Sequence, residues 1–80
     1  MTFRKSILVA LDRVHPMLLP ELSLVTDVHA ISGAVISLTE LRSEIQRLEG
    51  LRQVVSVRDE DGVLRYRITD DGRAARAAFP

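Results

Sequence analysis

The chain has 80 residues, 46% of them hydrophobic, with 11 Lys+Arg balanced by 11 Asp+Glu. That is enough for one small domain spanning 1–80, too apolar for a disordered chain and too short for a deep active-site cleft. Zero net charge supplies no overall pull toward DNA or an acidic membrane, and the lack of cysteine excludes a disulfide scaffold, a thiolate zinc site and a cysteine nucleophile.

In chain order, Arg4 and Lys5 precede the apolar run Ser6-Ile7-Leu8-Val9-Ala10-Leu11, which Asp12 and Arg13 end. A secretory signal needs about 7–15 apolar residues and a membrane span about 18, so the expectation is a cytoplasmic protein without a membrane segment. Residues 3–14 read as a helix with Phe3, Ile7, Ala10, Leu11 and Val14 on one face. Leu8 and Val9 fall off that face. They fit either a partner surface or a small core that wraps the helix on two sides. Together with Phe3 and Phe79 near the two ends, they also suggest a surface for a second copy, that is, a homodimer.

His15-Pro16 stops the first helix, because a residue before proline is pushed out of the helical region. Met17-Leu18-Leu19 fits either a small strand or an extended connector. Residues 21–31 form the second predicted helix, with Pro20 at its start and a stripe of Leu22, Val25, Val28 or His29, and Ile31. Ser32-Gly33 ends it, with Gly33 available for a left-handed cap. Residues 37–50 carry the clearest helix signal. Ser37-Leu38-Thr39-Glu40 has the capping-box spacing, and Leu38, Leu41, Ile45 and Leu48 form one continuous stripe. The opposite face holds Thr39, Glu40, Ser43, Gln46 and Arg47.

Residues 53–59 and 63–69 alternate as two strands, and Asp61-Gly62 between them predicts a two-residue type I′ hairpin. That turn pairs Arg58 with Arg65, Val57 with Tyr66 and Val55 with Ile68, giving one apolar and one polar face. Arg58, Arg65 and the diagonal Arg67 would then crowd one exposed face, which calls for compensation by DNA phosphates or by carboxylates such as Glu60. Thr69 is placed to cap a closing helix with Asp70 and Asp71 in its first turn.

This order, a helix–turn–helix followed by a β-hairpin, resembles the winged helix-turn-helix superfamily. Leu41 through Leu48-Glu49 is similar to its recognition-helix pattern, and Val54-Val55-Ser56-Val57 to its first wing strand. Tyr66-Arg67-Ile68-Thr69-Asp70-Asp71-Gly72-Arg73-Ala74 resembles the ending common in bacterial transcription regulators of the MarR and PadR kind. The detailed likeness covers residues 37–76. It implies an α+β fold: a three-helix bundle, a two-stranded wing and a short C-terminal helix. It also implies a small transcriptional regulator bound to double-stranded DNA, with residues 37–50 as the helix that enters the major groove.

The residue types on that helix suit the task. Gln46 pairs well with adenine and Arg47 with guanine, and Thr39 and Ser43 are also of the types that reach base edges. Arg58, Arg65 and Arg67 are the wing's candidates for backbone phosphates. Ten of the eleven cations are arginine, whose planar fork suits phosphate, although GC-rich codon usage produces the same bias. Asp59-Glu60-Asp61 puts three carboxylates at the wing tip, where phosphates would repel them. With the neutral net charge and the apolar residues Leu8 and Val9, this favours the rival reading, a winged-helix module that binds protein and not DNA. His15 and His29 stand alone and the glycines are isolated, so no metal, cofactor or enzymatic activity is expected.

Overall fold

The computed structural model describes residues 3–79; positions 1, 2 and 80 of the expected domain lie outside them. The elements run α1 (Arg4–Arg13), β1 (Leu19–Pro20), α2 (Glu21–Ser32), α3 (Leu38–Gly50), β2 (Val54–Arg58), β3 (Leu64–Ile68) and α4 (Asp70–Ala77). The capping box is complete: Ser37 Oγ accepts from the Glu40 amide at 3.1 Å, and Glu40 Oε1 accepts from the Ser37 amide at 3.3 Å. Thr69 Oγ1 caps α4 by accepting from the Gly72 amide at 3.0 Å. The expected elements are therefore present, and the segment at Leu19–Pro20 is a strand. It pairs with β3, making a three-stranded antiparallel sheet of order β1-β3-β2.

One core joins these layers. Ile7, Leu8 and Leu11 of α1 meet Leu24 and Val28 of α2, Leu41, Ile45 and Leu48 of α3, and Val54, Tyr66 and Ile68 of the sheet. α1 runs against α2, α4 and β3, so it is covered on more than one side. Leu8 and Val9 are buried in this chain and present no surface to a partner. Phe3 is buried, and Phe79 is half-buried against the core with the Arg4 guanidinium over its ring. Three of the four residues expected to face a second copy are thus buried inside the fold, and Phe79 keeps part of its surface. On α2 the expected Val28 is buried and Val25 and Ile31 pack partly buried against the core, but Glu21 and Leu24 are buried where Leu22 was expected, and Leu22 is 71% exposed. Leu38, the first residue of the α3 stripe, is exposed and lies outside the core cluster.

The wing register differs from the two-residue expectation. Val57 stands opposite Arg65, Ser56 opposite Tyr66, and Val54 opposite Ile68. The loop holds three residues, with Asp59 and Val63 closing it: the Asp59 amide donates to the Val63 carbonyl and the Gly62 amide to the Asp59 carbonyl. Gly62 sits at φ +80°, the left-handed residue that such a three-residue loop requires. The Asp59 carboxylate decides the matter by accepting from the amides of Asp61 and Val63, both at 2.9 Å. One residue of slip exchanges the faces. Val54, Ser56 and Arg58 share the core-side face with Ile68, Tyr66 and Leu64, while Val55 and Val57 lie on the outer face with Arg67 and Arg65.

Two junctions fix α3. Its approach from α2 is set by Gly33 at φ +70° and by the His29 ring, whose Nε2 accepts from the Ile36 amide at 2.9 Å. Ile36 is buried there as the plug of the turn. Its exit is a Schellman closure: the Gln53 amide donates to the Leu48 carbonyl and the Arg52 amide to the Glu49 carbonyl. The left-handed residue of that closure is Arg52, at φ +60°, and not a glycine. Gly50, at the end of the expected range 37–50, is the last residue of the helix.

Candidate nucleic-acid interface

Helix α2, a tight turn, α3 and a hairpin wing define a winged helix-turn-helix domain. The outer face of α3 is free of core contacts, and Thr39, Ser43, Gln46 and Arg47 are all exposed on it. Thr39 and Ser43 share a shallow hollow of about 250 Å³ with Phe3, Glu40 and Glu44. Arg47 lies 3.8 Å from the half-buried Glu44, an i,i+3 pair long enough to hold the exposed arginine only loosely. The four predicted helix residues therefore do share one accessible surface.

The wing arginines do not act as one group. Arg65 is half-buried and bonded through Nε to Asp59 Oδ2 at 3.1 Å. Its strand neighbour is Val57, so the expected Arg58–Arg65 clash does not arise, and Asp59 rather than Glu60 neutralises it. Arg67 is exposed on the same outer face, beside His15 and Asp70. Arg58 lies on the core-side face, and its Nη1 donates to the Gly62 carbonyl at 2.8 Å. Of the three, it is the one turned toward α3.

The acid of the wing tip is partly internal. Asp59 is spent on its own turn and on Arg65, and the Val63 amide in particular holds its carboxyl below the usual range. Glu60 and Asp61 remain exposed.

Between the wing and the helix–turn–helix lies an open cleft of about 600 Å³, lined by residues of α2, α3 and the hairpin. At its base, Glu21 is buried and accepts three hydrogen bonds from two side chains. Arg42 Nε and Nη2 donate to its two oxygens at 3.0 and 2.8 Å, and the Tyr66 hydroxyl donates to Oε2 at 2.6 Å. The bond to Arg42 holds the carboxyl below its ordinary range against the opposing effect of burial, and the Tyr66 hydroxyl helps. The sequence reading missed Arg42. It follows Leu41 directly and so sits on the flank of the core stripe, off the outward face of Thr39, Ser43, Gln46 and Arg47. The available signal was that flank position, shared with Glu49.

Among the described residues no cluster of side chains could hold a metal ion, and no helix is long and apolar enough to cross a membrane. No family model and no curated protein matches the chain. Solved structures do share its fold. RosR of H. salinarum, grown from NaBr, superposes with a TM-score of 0.81 at 18% identity, over 96% of this chain and 67% of that one. The complex structure of hsRosR-S4 gives a TM-score of 0.80 at 18% identity, over 96% of this chain and 64% of that one. The chain thus spans about two thirds of the length of these neighbours and has the winged-helix fold.

Proposed function

We propose that the chain is the DNA-binding domain of a small transcriptional regulator, with α3 in the major groove and the wing against the backbone. The observation that carries this is the exposed polar face of α3 standing beside an arginine-lined cleft. Thr39, Ser43, Gln46 and Arg47 are the base-reading candidates. Arg58 is the principal phosphate contact from the wing, with Arg67 and the more restrained Arg65 reaching phosphates from the outer face. The likeness to RosR supports the fold on which this reading rests. A cytoplasmic setting and a dimer reading two half-sites belong to the same proposal, with the dimer contact lying elsewhere than Leu8 and Val9.

The rival, a protein-binding module, loses its main structural argument because Leu8 and Val9 are buried. Selection from a random duplex library tests the proposal. The expected result is enrichment of a defined motif that Gln46→Ala and Arg47→Ala relax; no enrichment over the input library would contradict sequence reading by α3.

A further inference from the structure

The cleft between the wing and the helix–turn–helix has a composition suited to one kind of group. Its lining includes two guanidinium groups from different elements, Arg42 of α3 and Arg58 of β2, and one buried carboxylate, Glu21. Glu21 grips Arg42 by two nitrogens, which fixes the guanidinium in place while 60% of that side chain stays exposed. Arg58 is likewise held, by the Gly62 carbonyl. Two positive charges less one negative leave a single positive charge. Leu22 and Val63 supply exposed apolar wall on either side of it.

A singly charged anion flanked by carbon matches this site, and a nucleic-acid phosphodiester between two deoxyriboses is such a group. We infer that Arg42 and Arg58 grip the same backbone phosphodiester of bound DNA, with the sugars against Leu22 and Val63. This rests on the DNA reading above and deepens it. It assigns the phosphate contact to a pair that links α3 to the wing, so that the reading helix and the wing are registered on one point of the backbone. Glu60 and Asp61, exposed at the tip, lie outside the residues that line the cleft.

The salt dependence of duplex binding tests it. Fluorescence anisotropy would compare the unaltered chain, Arg42→Gln, Arg58→Gln and the double variant. Releasing one phosphate should flatten the plot of log affinity against log salt by about 0.9. The double variant is expected to lose that amount once, and its loss of affinity should be smaller than the product of the two single losses. A double variant with the slope and affinity of the unaltered chain would overturn the shared clamp. So would a slope loss near twice that value, which would mean two separate phosphates. Arg42→Gln disturbs the bonds to Glu21, so thermal melts accompany each variant. Arg58→Gln removes a bond to an exposed turn and should leave the melt unchanged while still weakening binding. If the unaltered chain binds no duplex, the DNA reading itself fails and takes this inference with it.

Discussion

The Tyr66 hydroxyl donates a 2.6 Å hydrogen bond to Glu21 Oε2, joining the middle strand of the sheet to the first turn of α2. Because Arg42 of α3 binds the same carboxylate, three elements meet at one buried group. Tyr66→Phe keeps the ring and removes a hydrogen bond to a charged acceptor. The expected cost is about 1.5–3 kcal/mol. A urea titration should show it as a lower midpoint with an unchanged slope; an unmoved midpoint would mean that the bond adds nothing to stability.

The same network gives stability a pH dependence. Arg42, with help from Tyr66, holds the folded pKa of Glu21 below its ordinary value. Its contribution is therefore complete above the unfolded carboxylate pKa of about 4.3 and is lost as pH falls through the folded value. Tyr66 shifts the opposite way, pushed up first by burial and then by its bond to Glu21. Its share is present below the ordinary phenol pKa of about 10 and is lost as pH rises above it. Melts of the unaltered chain and Glu21→Gln should differ at neutral pH and converge toward pH 3. A difference that stays constant over that range would contradict the assignment.

Thr69 and Gly72 explain the ending that links the wing to α4. Thr69 Oγ1 donates to the Arg52 carbonyl at 2.6 Å and accepts from the Gly72 amide, while the Thr69 amide donates to the Gln53 carbonyl. Gly72 lies so close to the Gln53 carbonyl and the Ile68 side chain that a methyl group would collide with both. Gly72→Ala is expected to cost about 1–3 kcal/mol as overpacking against backbone. Thr69→Ala should cost about 0.5–2 kcal/mol as a lost cap. Calorimetric melting temperatures check both, and an unshifted Gly72→Ala would show that the contact relaxes freely.

Arg52 offers the opposite sign. Its left-handed backbone at the end of α3 strains any residue with a Cβ. Arg52→Gly should therefore stabilise the fold by about 1 kcal/mol, read as a higher urea midpoint. A lower midpoint would mean that the arginine side chain contributes more than the backbone strain removes.

What could be read in advance was local. The capping box at Ser37 and Glu40, the Leu41/Ile45/Leu48 stripe and the Thr69 cap depend on spacings of three or four residues, and all stand in the structure. The α3 face of Thr39, Ser43, Gln46 and Arg47 followed from the same periodicity. The wing register did not, because Asp61-Gly62 satisfies a two-residue turn while Asp59 can cap a three-residue loop, and only the second puts Val54 and Tyr66 inside together. Glu21 was equally hidden. Its partners Arg42 and Tyr66 lie 21 and 45 residues away, so nothing nearby marks it as a buried carboxylate. Leu8 and Val9 looked surplus because the coverage of α1 by α2, α4 and β3 is a tertiary fact.

The central claim is that α3 and the wing bind duplex DNA. The most direct measurement is fluorescence anisotropy of mixed duplexes titrated with the chain at low salt, beside a variant carrying Glu60→Gln and Asp61→Asn. Non-specific binding by such domains falls at dissociation constants of about 10⁻⁴–10⁻⁶ M at physiological salt and tightens steeply as salt is lowered. The account predicts binding in that range for the unaltered chain and tighter binding for the variant, because the exposed tip carboxylates oppose phosphates. No change in anisotropy for either protein at tens of micromolar, in buffer of about 50 mM salt, would contradict it.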